Sequence, residues 1–133
     1  MNRLLDTEVC NYIIQTGSQD FLNSLEDRMT EEGSTLYISV ITYQYLLRSA
    51  HERSEPVRGD LLERIRSFRE RFLEVAEWTI ECAEKFVETD IKLGGGGALD
   101  STMVIAHALV LDAVLVTNKG PYPKLSDLKT EKW

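Results

Sequence analysis

Short apolar runs alternate along this chain with longer stretches of helical periodicity, and few folds accommodate that alternation. Residues 3 to 6 read as a short buried strand, and Leu36-Tyr37-Ile38-Ser39-Val40-Ile41 reads as a central strand rich in β-branched and aromatic residues. Trp78-Thr79-Ile80 reads as a short third strand, Val114 to Val116 as a fourth, and the tail from Leu128 to Trp133 as an edge strand. The intervening segments are helical. Asp6-Thr7 starts a helix through Val9, Tyr12, Ile13 and Ile14, and Gly17-Ser18 breaks it. Phe21, Leu22, Leu25 and Met29 mark a second helix, followed by a turn at Glu31-Glu32-Gly33-Ser34. Thr42 is placed to cap a third helix, which carries Tyr43, Leu46 and Leu47. Residues 51 to 59 read as a polar loop with Pro56 and Gly59, and from Asp60 onward Leu61, Leu62, Ile65, Phe68, Phe72 and Leu73 trace one helical face. Cys82, Ala83, Phe86 and Val87 mark a further helix, and Asp100-Ser101 caps a last one bearing Met103, Val104, His107, Ala108 and Leu111. Helices alternating with strands imply an α/β fold: one domain over residues 1–133, with a parallel sheet of about five strands sandwiched between helices.

In such a sheet, function gathers at the carboxyl ends of the strands. Leu4-Leu5 stops at Asp6-Thr7, and Leu115-Val116 stops at Thr117-Asn118. These two strand ends, far apart in sequence, can meet in one polar site. Asp6 brings an acid to it. The plain role of Asp6 is to cap the helix that follows, and that of Thr117 and Asn118 is to hydrogen-bond a turn.

Composition bounds the partners. The 133 residues are 43% apolar and carry a formal charge of −7, which repels nucleic acid globally. The charge is uneven. Residues 48 to 71 hold seven arginines against five acids, a net +2, and leave about −9 elsewhere. Arginine without lysine suits bidentate phosphate contacts, while the plain alternative is a solvated helix face with i,i+3 and i,i+4 ion pairs. No apolar run approaches the roughly 20 residues of a membrane span, and the start lacks the layout of a signal peptide, so a cytoplasmic protein without a membrane role is expected. Cys10 and Cys82 show no metal-ligand spacing and read as buried reduced thiols. Gly94 to Gly97 lack the Lys-Ser/Thr of a phosphate-binding P-loop and read as a hinge; they are the one feature that favours an unrelated phosphate-binding domain.

Five segments together resemble the PIN domain family, and within it the VapC-type toxins of toxin–antitoxin pairs. They are Leu4-Leu5-Asp6-Thr7, Ile38-Ser39-Val40-Ile41-Thr42, Ile105-Ala106-His107-Ala108-Leu109, Leu115-Val116-Thr117-Asn118 and Leu128-Lys129-Thr130-Glu131-Lys132-Trp133, in the family's order and spacing over nearly the whole chain. The resemblance implies a five-stranded parallel sheet between helices. It implies a Mg²⁺- or Mn²⁺-dependent ribonuclease, usually a homodimer, with RNA as substrate and a small antitoxin protein as inhibitor. In such an enzyme three or four carboxylates hold one or two metal ions through oxygen ligands, and the metal activates water and stabilises charge on the phosphate.

This chain keeps part of that acid set. Asp6 matches the first acid. The second is a Glu three residues after the Thr that ends the second strand, and here Tyr45 stands there beside Gln44. The third is an Asp six residues before the His, which is Ser101 here, with Asp100 one residue earlier. The fourth follows Thr-Asn, and here it is Lys119. An ungapped reading leaves one acid of four. A small shift at the helix start would bring Asp100 in as a second catalytic and metal-binding acid.

The resemblance therefore implies Asp6 and Asp100 as metal ligands and Thr7, Tyr45, Ser101, Thr117, Asn118 and Lys119 as the site lining, with Arg64, Arg66, Arg69 and Arg71 meeting RNA. Glu8 is within one helical turn of Asp6, although a solvated Glu at a helix start is commoner. His107, between Ala106 and Ala108 on an apolar face, reads as a satisfied core histidine, and Trp78 and Trp133 as packing residues. Two functions stay open: a VapC-like endoribonuclease impaired by its missing acids, or a non-catalytic PIN module that binds protein or RNA.

Overall fold

The computed structural model describes residues 1–29, 33–72 and 74–133. Its elements run β1 (Asn2–Leu5), α1 (Thr7–Thr16), α2 (Gln19–Met29), β2 (Thr35–Ser39), α3 (Val40–His51), α4 (Val57–Phe72), β3 (Glu74–Ala76), α5 (Ile80–Lys92), α6 (Leu99–Val110), β4 (Val114–Val116) and β5 (Thr130–Glu131). The five strands form one parallel sheet in the order β3-β2-β1-β4-β5. The chain steps outward from β1 to β2 and β3, then returns to place β4 on the other side of β1. That reversal makes the carboxyl ends of β1 and β4 the switch point of the sheet, where open α/β sheets bind ligands.

Strand alternation divides the core into two layers. Leu5, Ile38 and Val116 face α1 to α4, packing with Val9, Ile13, Leu46, Ile65 and Phe68. Their neighbours Leu4 and Leu115 face the other way, onto Val104, Ile105 and Ala108 of α6, with α5 packed outside it. A sheet buried on both faces explains why its strands read as continuous apolar runs. Among the described residues, no helix is long and apolar enough to cross a membrane.

Several boundaries differ from the sequence reading. The run Val40-Ile41-Thr42 has strand propensity, yet α3 begins at Val40, because the Ser39 hydroxyl caps it by accepting from Ile41 N at 3.1 Å. Thr42 is therefore inside the helix and caps nothing. The third strand is Glu74–Ala76, not residues 78 to 80; Thr79 caps α5 through Cys82 N at 3.2 Å, and Ile80 is a helical residue facing solvent. Helix α4 starts three residues before Asp60, just after Pro56, and takes in Gly59. Helix α6 starts at Leu99 after Ala98, with no side-chain cap, so Asp100 and Ser101 lie in its first turn.

Gly17 ends α1 in the left-handed region at φ 60° and donates its N–H to Ile13 O. Gly94, Gly95 and Gly96 take φ of 88°, 70° and 74°, a path that explains a glycine run between α5 and α6. Cys10 and Cys82 are free and buried, and burial holds the Cys10 thiol far above its ordinary pKa, with the Asp6 charge adding to the effect. Trp133 packs on the larger core layer, and Trp78 meets His107 edge-on at 5.5 Å. Part of the turn read at 31–34, Leu73, and the side chains of Met29 and Phe72 lie outside the described residues.

Candidate functional site

Parallel register brings the two strand ends together. Leu5 pairs with Val116, and Asp6 N donates to Val116 O at 2.9 Å, which sets Asp6 beside Thr117. Asp6 is 7% exposed. Its Oδ1 accepts from Thr7 N at 2.7 Å, the cap of α1, and its Oδ2 accepts from Thr117 Oγ1 at 2.7 Å. Thr117 is buried, and its hydroxyl accepts from the backbone N of Lys119 at 3.0 Å. Thr7 Oγ1 lies 2.8 Å from Thr42 Oγ1, so the first turn of α1 is tied to α3.

The edge of this cluster is charged. Lys119 Nζ is 3.0 Å from Glu8 Oε1, with both side chains largely in solvent. The Glu8 hydrogen bond outweighs partial burial and, with the charges of Glu8 and Asp6, holds the lysine above its ordinary pKa. Tyr122 is half-buried nearby. Burial pushes its phenol up, and the Asp6 charge pushes it further. Asn118 is exposed.

The remaining site positions lie on α3 and at the start of α6. Tyr45 is exposed on α3 and lines a cavity of about 390 Å³ with Ile41, Gln44, Arg48, Ser49, Glu52 and Asp100. Asp100 is exposed in the first turn of α6, and Ser101 is half-buried behind it. Asp6 does not line that cavity. Among the described residues, no three His, Cys, Asp or Glu side chains come together as a metal-holding group. Both Asp6 oxygens already accept hydrogen bonds, and Glu8 already faces an ammonium. With one acid of the implied set at this strand end and no cluster of three such side chains among the described residues, the donor set does not fit the site of three or four carboxylates that the resemblance implies.

The four arginines read as RNA contacts each have a partner within the chain. Arg64 Nη1 donates to Ile14 O at 3.0 Å and satisfies an end carbonyl of α1. Arg66 pairs with Glu63 and Glu70, the i,i+3 and i,i+4 pattern of a solvated face. Arg69 lies over the Tyr43 ring at 5.4 Å, and Arg71 pairs with Glu26 at 2.7 Å.

His107 is a core residue. Its Nδ1 is 2.9 Å from Ser39 Oγ, and its backbone partner is Glu77. Because Ser39 Oγ accepts from Ile41 N, its own O–H is free to donate to Nδ1, and the ring proton then sits on the other nitrogen. Burial holds the imidazole below its ordinary pKa of 6.5, against a smaller opposing effect of the Glu77 hydrogen bond.

Sequence reasoning missed the Thr7–Thr42 contact and Tyr122. Thr42 offered a weak signal as a hydroxyl one helical turn before the Tyr45 position. Tyr122 lies only five residues past Thr117. The structural role of the Asp6–Thr117 bond is testable. Thr117→Val keeps the shape but leaves Asp6 Oδ2 and Lys119 N without that hydroxyl, and is expected to destabilise the fold by about 2 kcal/mol in urea unfolding.

No family model matches the chain, and no curated protein matches it. Solved structures do. A chain of VapBC2 from Rickettsia felis, in a complex bound to a DNA fragment from their promoter, superposes with a TM-score of 0.86 at 23% identity, covering 100% of this chain and 99% of that one. DNA-bound VapBC from Salmonella typhimurium gives a TM-score of 0.79 at 20% identity, covering 100% and 98%. VapBC-1 from nontypeable Haemophilus influenzae gives 0.79 at 22% identity, covering 100% and 98%. At these identities the likeness is one of architecture, and the fold of this chain is that of the VapC-like PIN domain.

Proposed function

We propose that the chain is a toxin-type PIN protein that acts by binding and no longer by metal-dependent hydrolysis. One observation carries this reading: of the four acid positions of the family, this chain keeps an acid only at Asp6, which is bonded to Thr7 and Thr117, and the companions are Tyr45, Ser101 and Lys119. The partner favoured is a small antitoxin-like protein, since the matched structures are of paired complexes. A groove of about 280 Å³ between α1 and α4 suits such a partner, with Ile13, Ile14, Leu22 and Phe68 as an apolar floor and Glu63, Arg64 and Arg71 on its rim.

The second reading keeps a weak ribonuclease. The retained Asp6–Thr117 pair at the switch point favours it. It needs Asp100 to leave the α3 cavity and join Asp6, with Mg²⁺ or Mn²⁺ held between them.

Incubating a mixed RNA pool with the purified chain and Mn²⁺, beside Asp6→Asn, separates the two. The binding reading expects no cleavage by either protein. Mn²⁺-dependent cleavage that Asp6→Asn removes would instead establish the ribonuclease.

A further inference from the structure

We propose that the Lys119 ammonium is the resident cation of this carboxyl edge, standing in for the divalent ion that a complete acid set would hold. The inference rests on the reading of the chain as a PIN protein that acts by binding.

Two carboxylates reach the edge from one helical turn, Asp6 as the cap of α1 and Glu8 two residues on. A buried carboxylate needs compensation, and Asp6 finds two hydrogen bonds. The second of those bonds also places the lysine. Lys119 N donates to Thr117 Oγ1, and Thr117 Oγ1 donates to Asp6 Oδ2, so the backbone of Lys119 is tied to the acid through one hydroxyl. Its side chain then turns to Glu8 at 3.0 Å. The positive charge thus stands among the acids of the site.

A divalent ion drawn to Asp6 and Glu8 competes with this ammonium for Glu8. Among the described residues it also finds no cluster of three acids, histidines or cysteines. Like-charge repulsion and loss of ligands act in the same direction.

An ordinary exposed Lys–Glu pair would behave differently. Such pairs contribute little to stability and bear on nothing else. The discriminating readout is therefore metal uptake, with unfolding followed in parallel as a control for folding. Mn²⁺ uptake by the full chain can be read from loss of the free-ion paramagnetic resonance signal.

The wild type is expected to leave that signal undiminished at millimolar Mn²⁺. Lys119→Met is expected to reduce the signal in that range, and Lys119→Asp to reduce it at about tenfold lower Mn²⁺ than Lys119→Met, because each removes repulsion and the second adds an oxygen ligand. Adding Asp6→Asn to Lys119→Asp should abolish the gain, while Asn keeps an oxygen to cap α1. Saturable uptake by the wild type that Asp6→Asn removes overturns the proposal. So does a Lys119→Asp protein, folded as judged by its unfolding curve, that takes up no more Mn²⁺ than wild type. Wild-type uptake without RNA cleavage would overturn the role of Lys119 alone, whereas cleavage without uptake would overturn the binding reading alone.

Discussion

Glu131→Gln is expected to destabilise the fold by about 3 kcal/mol at neutral pH. Glu131 stands on the edge strand β5, and its carboxylate meets Arg3 at 3.2 Å, Arg28 at 2.9 Å and Trp133 Nε1 at 2.8 Å. Arg3 comes from the central strand β1 and is 4% exposed. Removing the charge takes the Glu131 carboxylate away from a buried guanidinium, while the amide oxygen still accepts from Trp133. Replacing one partner of a buried pair costs more than the pair contributes, because the other charge stays desolvated. Urea unfolding of the two proteins measures the difference directly.

The pH dependence gives a second check. Burial alone would raise the Glu131 carboxyl. The Trp133 and Arg3 hydrogen bonds and the charges of Arg3 and Arg28 outweigh it and hold the group below its ordinary 4.5. On acidification the unfolded chain therefore takes up this proton first. The stabilisation is complete above about pH 4.5 and is lost as pH falls through the lower folded value. The gap between wild type and Glu131→Gln should narrow in that window. A gap equally wide at neutral and strongly acid pH would mean that the charge is not its origin.

His107→Ala is expected to destabilise by about 3 kcal/mol through the cavity it leaves and the contacts it removes. The imidazole joins α6 to the cap of α3 through Ser39 and packs against Trp78. It is 1% exposed, so little of the lost volume refills from solvent. The pH slope should change as well. Its folded pKa lies below 6.5, so the unfolded chain binds the proton first as pH falls below that value. Wild-type stability should decline from pH 6.5 toward the folded pKa, and the His107→Ala protein should lose that component.

Much of this architecture was legible from the strand ends. Leu4-Leu5 and Leu115-Val116 are apolar on both faces of the sheet, and the polar residues that stop them mark the switch point. The acid deficit was legible too, since Tyr45, Ser101 and Lys119 can be counted against a spacing. Local propensity misled where tertiary packing decided otherwise. Val40-Ile41-Thr42 is β-branched, yet it opens a helix because Ser39 caps it and β2 ends there. Glu74-Val75-Ala76 has little strand character, and the sheet edge recruits it nonetheless. Asp100 resembled a cap, but the helix starts one residue earlier. Side-chain partners across many residues were beyond any pattern: Arg64 on the end of α1, Lys119 on Glu8, Thr7 on Thr42. Each depends on where the backbone finally places two distant segments.

The order of the strands also bears on how this protein is made. β1, the middle strand, comes from residues 2–5, and one of its two neighbours comes from residues 114–116. During synthesis β1 can pair with β2 early, but its other edge stays open until most of the chain has left the ribosome. Contacts between such distant segments form slowly, because a long loop must close before they are rewarded. The Asp6–Thr117 bond cannot form before residue 117 has been made, and until then the aspartate lacks its hydroxyl donor beside an open strand edge. A nascent chain at that stage is open to edge-to-edge pairing with its neighbours on a polysome.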